Sequence, residues 1–430
     1  MKYKKIDVGP YNIHLINTNK FKTVTIKINF KRKVKNGWVY CEWQKSEITK
    51  RSLLSRILLE SSMNYKSSRL LEIKIEELYN LSLNSSSYIS GNYSVLSLSS
   101  IFLNDKYTEK NQVKNSIEFI LDILLNPNVE NNKFNKDSFN FAVSSLKEEL
   151  ESQCDNPSFY SELRANEETD KKASFSYNAT GYLDDLLKID EKNLYSYYKS
   201  VLKSDLVDVF IIGDIDEEEI KKIFSKKFKI KTIKKPSESH YDISNTYRKR
   251  IKTVCEKKPF GQSKLVMNLK VEELSKFERE YVMRVYNFIL GGGPNSKLFK
   301  EVREKNSLCY TIGNSYSIIW GILKIRAGIN KESFKKCVNL IKKELKSMEK
   351  GLFTDEDIEA AKTTYISSFE SITDNPSSII NTYISKEYLD MDLIDDRMKN
   401  INKVNRDMII SVSKKIHLDT IYLLEGDIDE

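Results

Sequence analysis

Histidine is scarce in this chain, which has only three histidines among its 430 residues. They are His14, His240 and His417, so they lie near the N-terminus, in the middle and near the C-terminus. Zinc hydrolases commonly hold their metal with closely spaced histidines, and no two of these three could form such a pair. A metal site would have to be assembled from distant loops and carboxylates, so we expect no metal and no other cofactor.

Long apolar segments and paired cysteines are also missing. No segment approaches the roughly 18 apolar residues of a membrane-spanning helix, and the first residues lack the apolar stretch of a secretion signal. The cysteines, at positions 41, 154, 255, 309 and 337, are odd in number and include no C-x-x-C pair. We therefore expect a cytoplasmic protein with reduced thiols and no membrane partner.

Glycine and proline are few, at 14 and 7 residues, whereas 40% of the residues are hydrophobic and 30% are charged. This composition is typical of a globular protein, and the length indicates at least two domains. The formal charge is +9, but the 70 basic and 61 acidic residues are mostly interspersed. The interspersed charge argues against a nucleic-acid partner, and we interpret the basic stretch from Lys226 to Lys235 as the solvated flank of a linker.

The sequence contains an internal repeat. An apolar run ends in Gly-Asp-Ile-Asp at residues 213–216 and again at residues 426–429. Upstream, the tripeptide Asp-Asn-Pro occurs between two helical patterns at residues 155–157 and again at residues 374–376. Because the two motifs recur in the same order at nearly the same offset, they indicate one structural unit used twice.

Both halves of the chain combine helical and strand periodicity, which predicts an α+β fold. Helical patterns cover residues 49–62, 68–80, 112–125, 136–153, 274–290, 331–349 and 355–371, and strand patterns cover residues 24–30, 93–98, 264–270 and 320–329. The interval between the two sets is polar and contains Pro236. We therefore predict an N-terminal domain at residues 1–228, a linker at 229–260 and a C-terminal domain at 261–430.

The predicted helix at residues 49–62 has an unusual polar stripe beside its apolar face. Ser52, Ser55 and Arg56 occupy positions i, i+3 and i+4, which share one side of a helix. This is the spacing of an H-x-x-E-H zinc motif, but serine and arginine are poor zinc ligands and arginine carries a permanent positive charge. Taken alone, the stripe is most simply an ordinary solvated helix face, and only its surroundings in the sequence favour the other interpretation.

A second motif links the chain to a known family. Residues 291–310 read GGGPNSKLFKEVREKNSLCY, which resembles the GG...SrLf..vREk.gLaY stretch of the insulinase-like (pitrilysin) metallopeptidases and of mitochondrial processing peptidase. With the internal repeat and the Asp-Asn-Pro turn, the resemblance extends over essentially the whole chain. It implies two tandem homologous insulinase-like α+β sandwich domains.

Alignment with this family exposes a departure at the zinc site. Setting Ser61-Ser62 against the family's Gly-Thr pair places the H-x-x-E-H motif on residues 52–56, so that Ser52, Ser55 and Arg56 replace both histidines and the glutamate. The family's third zinc ligand falls on Glu149, with Glu148 as an alternative register. We expect an ion pair between Arg56 and Glu149, the alternative being that both side chains point to solvent.

The resemblance also assigns a role to the motif in the second half. In the family, the residues that match Arg303 and Tyr310 bind backbone carbonyl groups of a substrate peptide. The alternative is a surface pair of Arg303 with Glu301 or Glu304 and a core position for Tyr310. The glycines of residues 291–293 do not fit a nucleotide-binding motif, so we interpret them as a flexible turn or a substrate-facing loop.

Together, the degenerate zinc positions and the retained Arg303 and Tyr310 resemble the noncatalytic subunits of two-subunit bacterial peptidases. Some similar zinc-less proteins are associated with modification of translation elongation factor P. The resemblance implies a heterodimer with a homologous zinc-containing H-x-x-E-H subunit, and a peptide or unfolded protein as substrate. The alternatives are an active metallopeptidase with a non-standard metal site and a scaffold that binds no peptide.

Overall fold

The computed structural model describes residues 1–33, 46–230 and 238–426. The chain divides into two compact units, each assembled from separate segments. The first unit contains Met1–Glu151, Asn178–Ser239 and Asn375–Ile384, and the second contains Ser152–Tyr177, His240–Asp374 and Ser385–Glu430.

The first unit is built on a six-stranded sheet. Its strands are β1 (Lys2–Asp7), β2 (Asn12–Asn17), β3 (Thr23–Lys33), β4 (Ser82–Ser90), β5 (Tyr93–Leu103) and β8 (Leu206–Gly213), in the order β1-β2-β8-β3-β5-β4. The short strands β6 (Val129–Glu130) and β7 (Lys133–Phe134) form a separate ribbon. Strands β2 and β8 pair in parallel and the other pairs of the sheet are antiparallel. Alternating residues of β3 such as Ile26 and Ile28 are fully buried in the core.

The second unit repeats this arrangement with five strands. These are β9 (Lys252–Lys258), β10 (Ser263–Val271), β11 (Cys309–Ser317), β12 (Ile322–Ile329) and β13 (Ile416–Gly426), in the order β11-β12-β10-β13-β9. Strand β13 lies between a parallel neighbour, β9, and an antiparallel neighbour, β10, as β8 lies between β2 and β3. The repeat predicted from the Gly-Asp motifs therefore corresponds, in each sheet, to the strand that has one parallel and one antiparallel neighbour. Residues 427–429 of the second motif lie outside the described residues.

Helices cover the sheets. They are α1 (Ser46–Ile57), α2 (Ser68–Glu77), α3 (Gln112–Leu125), α4 (Lys136–Asp155), α5 (Pro157–Thr169), α6 (Leu183–Leu186), α7 (Glu191–Ser204), α8 (Glu217–Lys227), α9 (Met283–Gly291), α10 (Phe334–Glu349), α11 (Asp355–Ile372), α12 (Pro376–Leu389), α13 (Ile394–Ile401) and α14 (Arg406–Ser413). Two π-helices, Glu278–Val282 and Phe299–Glu304, lie in the second unit. Within the described part of the chain, no helix has both the length and the apolar composition that crossing a membrane requires.

The two Asp-Asn-Pro motifs start helices. The side chain of Asn156 accepts hydrogen bonds from the backbone amides of Ser158 and Phe159 at 3.0 Å, and Pro157 is the first residue of α5. Asn375 caps α12 in the same way by accepting from the Ser378 amide at 3.0 Å. Asparagine is favoured at the N-cap and proline at the first helical turn, which explains why the tripeptide recurs.

Each predicted helix and strand overlaps an observed one, and the fold is a repeated α+β arrangement, but α1 ends at Ile57, before the predicted end at residue 62. The predicted domain bounds need correction, because strand β9 lies inside the interval 229–260 that we predicted to be a linker. In addition, Ser152–Tyr177 belongs to the second unit and Asn375–Ile384 belongs to the first. The sequence of β9, KTVCEKK, alternates between exposed and half-buried residues at the edge of the sheet. Such a short, charged edge strand has too little apolar periodicity to stand out from a linker. Cys41 lies outside the described residues, and the other four cysteines are free thiols.

Candidate functional site

Helix α1 carries the three positions that align with the zinc motif. Ser52 and Ser55 are buried, with 4% and 5% of their surfaces exposed. The Ser55 hydroxyl donates a hydrogen bond to the Ser52 carbonyl oxygen at 2.7 Å, so this donor is satisfied within the helix itself. Leu53 and Leu54, on the neighbouring face, are completely buried in the core of the first unit.

Arg56 and Glu149 form an ion pair in the first unit. The Arg56 Nη2 donates to the Glu149 Oε2, while the Thr180 hydroxyl lies 3.4 Å from the other carboxylate oxygen. Both side chains are partly exposed, at 26% for Arg56 and 42% for Glu149. This is the ion pair that the alignment suggested, and the alternative register at Glu148 is exposed on the next position of α4.

A second arginine anchors α1 to the core, and the sequence did not reveal it. The side chain of Arg51 is fully buried and its Nη2 lies 2.6 Å from the Asp205 carboxylate. Its other nitrogens donate to the Tyr197 hydroxyl at 3.2 Å and to the Phe30 carbonyl oxygen at 3.1 Å. Arg32 adds a second hydrogen bond to Asp205 at 2.8 Å. The guanidinium is therefore paired and hydrogen-bonded, as a buried charge requires.

In the second unit, the motif of residues 291–310 forms a turn, a π-helix and the start of a strand. The π-helix Phe299–Glu304 is followed by a turn at Ser307, whose φ of 50° is left-handed. Two backbone hydrogen bonds close this end, from the Ser307 amide to the Arg303 carbonyl at 3.0 Å and from the Leu308 amide to the Val302 carbonyl at 3.1 Å. The closed turn brings the end of the helix directly into β11.

The first glycine of the motif is required by close packing. A Cβ atom at Gly291 would lie 2.8 Å from the Asn314 side-chain oxygen on β11. Gly291 therefore allows α9 to end against β11. Ser296 then fixes the next turn, because its hydroxyl donates to the Gly293 carbonyl oxygen at 2.6 Å. This arrangement agrees with a turn and provides none of the features of a phosphate-binding loop.

Arg303 is exposed at the end of the π-helix. Its guanidinium carbon lies 4.7 Å from the centre of the Phe299 ring, which orients the side chain along the helix. Glu301 pairs with Lys305 instead, and neither Glu301 nor Glu304 pairs with Arg303 in the described structure. The alternative of a surface ion pair is therefore not what these residues form.

Tyr310 is exposed because it lies in a β-bulge. Cys309 is opposite Ile329 and Thr311 is opposite Gly328, so Tyr310 is the extra residue on β11. A bulge re-aims one side chain, and 58% of Tyr310 is exposed. The neighbouring thiol of Cys309 is buried, and burial raises its pKa to about 11 while the charge of Arg303 acts in the opposite direction. Tyr310 is thus a surface residue rather than a core residue.

Comparison of the sequence with known proteins also points to the insulinase-like family. Residues 188–365 match the family described as Peptidase M16 inactive domain, M16 being the insulinase-like family. The chain is 25% identical over 424 residues to a Bacillus subtilis protein named "Probable inactive metalloprotease YmfF", covering 97% of this chain and 96% of the relative. The chain is thus similar to the M16 peptidases.

Two further likenesses place this chain among related proteins. A crystal structure of a conserved protein from Enterococcus faecalis has a TM-score of 0.91 and 26% identity, with each chain covered completely. A second Bacillus subtilis relative, named "Uncharacterized zinc protease YmxG", is 23% identical over 253 residues, which cover 56% of this chain and 59% of that protein.

The residues of this chain do not fit the zinc ion of the active family members. An H-x-x-E-H helix provides two imidazoles and a base, whereas α1 provides two hydroxyls and a guanidinium. Glu149 is the one carboxylate that aligns with a ligand, and it already pairs with Arg56. Among the described residues, no three histidine, cysteine, aspartate or glutamate side chains are grouped closely enough to hold a metal.

Proposed function

We propose that this chain is the noncatalytic subunit of a zinc peptidase. In this proposal it binds an extended peptide through Arg303 and Tyr310, and a homologous H-x-x-E-H subunit provides the zinc and the hydrolysis. The observation that carries the proposal is the exposure of both side chains on one short motif, without an acidic partner for Arg303 among the described residues. The chain thus retains groups for peptide binding and lacks those for metal chemistry.

The chemistry of the two side chains suits a peptide backbone. An extended peptide offers a row of carbonyl oxygens, and a guanidinium has five N–H donors in a fixed plane. The phenol of Tyr310 adds one O–H donor beside an aromatic ring that can pack on a side chain of the peptide. The turn at Ser307 and the bulge at Tyr310 hold these donors on a folded motif, so little entropy is lost when they bind.

The first unit, considered by itself, also has an edge strand to which a peptide could add. Strand β4 is the last strand of its sheet and pairs with β5 on one side. Its residues alternate between exposed and half-buried at Ser82, Leu83, Asn84 and Ser85, and α1 packs next to it. A peptide could add to this edge by main-chain hydrogen bonds, which is a common recognition mode.

A partner of the required kind has a precedent among the relatives. Bacillus subtilis contains both the relative named as an inactive metalloprotease and a relative named as a zinc protease. An organism that keeps both kinds of M16 protein could combine them in one enzyme. A second copy of the present chain could not replace the zinc subunit, because it would also lack the two ligands at positions 52 and 56 and the base at position 55.

The proposal is tested by mixing the chain with an H-x-x-E-H homologue from the same organism. We expect a 1:1 complex by size-exclusion chromatography with light scattering, and cleavage of an unfolded fluorogenic peptide well above the rate of either protein alone. Arg303→Ala should lower this rate without preventing the complex. Lys300→Ala is the matched control, because Lys300 is an exposed cation on the same π-helix.

Two results would contradict the proposal. If the homologue is fully active alone, and the present chain changes neither its mass nor its rate, the chain is not its subunit. If a complex forms but Arg303→Ala and Lys300→Ala have the same small effect on cleavage, the chain acts as a scaffold rather than in peptide binding.

A further inference from the structure

A groove in the second unit lies beside α5 and has no role in the contacts described above. It consists of two cavities of about 180 and 160 Å³ that share Arg326 as a lining residue. The first cavity reaches from Arg326 to the aromatic side chains of Trp320 and Phe175. The second reaches from Arg326 to Thr311 on the edge strand β11.

The groove has more positive than negative charges. Its charged lining residues are Lys264, Lys324, Arg326 and Glu162. The single carboxylate is shared, because Glu162 lies 3.0 Å from the Lys324 amine and 2.8 Å from the Arg326 Nε. Lys264 donates to the neutral side chain of Gln262 and has no ion pair among the described residues. Two positive charges therefore remain without a counter-charge in the groove.

Burial disfavours the charged forms of the two lysines, and the groove also contains hydrogen-bond donors. Lys324 is only 13% exposed, and burial lowers the pKa of its amine although Glu162 opposes this. Burial also lowers the pKa of Lys264. The hydroxyls of Ser315 and Ser317 line the first cavity, and Ser315 already accepts a hydrogen bond from Arg326 at 2.8 Å. An anion in the groove would compensate the charges and accept hydrogen bonds from these groups.

The position of the groove connects it with Tyr310. Thr311 follows the bulged Tyr310 on β11 and lines the end of the second cavity. Gly328 is opposite Thr311, and a Cβ atom there would lie 3.0 Å from the Thr311 hydroxyl and 2.7 Å from the Gln262 side-chain oxygen. Glycine thus lets both polar side chains remain at this end of the groove. A peptide held at Tyr310 would have the groove within reach of its next residues.

We infer that this groove is a carboxylate-binding subsite, which receives an acidic side chain or the C-terminal carboxylate of a peptide held by Arg303 and Tyr310. The inference rests on the proposed function, since it names the class of peptide that the chain prefers. Arg326 and Lys264 are the cations with which the carboxylate pairs. Glu162 positions Arg326 and Lys324 and prevents them from repelling each other.

The test uses three fluorescent peptides that share one extended neutral core, with binding to the full chain measured by fluorescence anisotropy. The first peptide is amidated, the second is amidated and carries one glutamate, and the third has a free C-terminal carboxylate. We expect the second, the third or both to bind more tightly than the first, and the one that does identifies the source of the carboxylate. The preference is the ratio of the affinity for a peptide with a carboxylate to the affinity for the neutral peptide. Arg326→Gln and Lys264→Gln should each lower this ratio about tenfold, the loss expected for one charge-assisted hydrogen bond.

The control is Lys257→Gln on β9, which removes the same charge from an exposed position of the same sheet, where 65% of the lysine is exposed. It should leave all three affinities unchanged. The inference is overturned if the wild-type chain binds the three peptides equally, or if Lys257→Gln reduces the preference as much as Arg326→Gln and Lys264→Gln. If no peptide binds, including the neutral one, then both this inference and the proposed peptide binding fail together.

Discussion

Two arginines on α1 differ in their surroundings. Arg51 is part of the buried core, whereas Arg56 lies at one of the positions that align with the zinc motif. Arg51 is completely buried and has hydrogen-bond partners on three sides. Arg56, five residues later, is 26% exposed and has one carboxylate partner that is itself 42% exposed. Burial decides the difference, because removing one member of a buried pair leaves the other charge unpaired in a low dielectric.

We therefore predict different costs for two matched substitutions. Arg51→Met should lower the free energy of unfolding by about 1–3 kcal/mol, because the Phe30 carbonyl oxygen and one Asp205 oxygen would lose a buried donor while Arg32 still pairs with Asp205. Arg56→Met should cost less than about 1 kcal/mol, which is the usual value of an exposed pair. Urea unfolding followed by circular dichroism measures both values. Equal costs would show that the Arg56–Glu149 pair is a main support of the first unit.

The exposed side chains of Arg303 and Tyr310, which we propose to bind peptide, give a second prediction. Arg303→Ala and Tyr310→Phe should each change the free energy of unfolding by no more than about 0.5 kcal/mol, the usual range for surface substitutions. Both should weaken binding of an extended peptide, because each removes donors to backbone carbonyls. A large drop in melting temperature with unchanged peptide binding would assign these residues to folding.

At the scale of the element, α1 places residues 52, 55 and 56 at the spacing of an H-x-x-E-H motif, but with serine and arginine side chains. Positions 52 and 56 are one helical turn apart on the same face, and Glu149 of α4 reaches position 56. Position 56 and Glu149 are thus adjacent, as the alignment with a zinc site requires. What is missing is the set of imidazoles.

This predicts that zinc binding can be restored by three substitutions. The combined variant Ser52→His, Ser55→Glu and Arg56→His should bind about one zinc per chain, because two imidazoles and the released Glu149 then provide three protein ligands. Elemental analysis after dialysis measures the metal, and thermal unfolding with and without zinc verifies the fold. Adding Glu149→Ala to this variant should weaken the binding. A folded triple variant without zinc would mean that the backbone around α1 has lost the required geometry.

At the scale of the whole molecule, periodicity predicted most elements but not their assignment to the two units. The helix after the first Asp-Asn-Pro turn was predicted, yet α5 belongs to the second unit although it precedes the first unit's β8 in sequence. Nothing in the local pattern of α5 specifies which sheet covers its apolar face, because that choice depends on contacts distant in sequence.

In the candidate site, too, features that depend on contacts distant in sequence could not be predicted from the local pattern. The role of Arg303 and Tyr310 came from motif resemblance, but the exposure of Tyr310 depends on a bulge that residue spacing does not reveal. Arg51 could have been noticed as a charge in line with the apolar Leu54 and Leu58, at positions i+3 and i+7. Its partner Asp205 is 154 residues away, so the pair could not be predicted.

Helix α5 belongs to the second unit but precedes part of the first unit in sequence, and this leads to a prediction about fragments. In the second unit, Ala165 and Tyr160 of α5 pack against Val266 of β10 and against Tyr422 and Leu424 of β13. A fragment of residues 240–430 lacks α5 and would expose this apolar cluster, in which each large side chain contributes about 1.5–3 kcal/mol when buried. We expect this fragment to be unfolded or aggregated alone and to gain structure, seen by circular dichroism, when a peptide of residues 152–177 is added. The same peptide with Tyr160→Ser and Ala165→Asp, which cannot bury its face, is the control and should have no effect. A fragment that folds cooperatively without the peptide would show that the second half of the sequence is an independent domain, despite the exchange of α5.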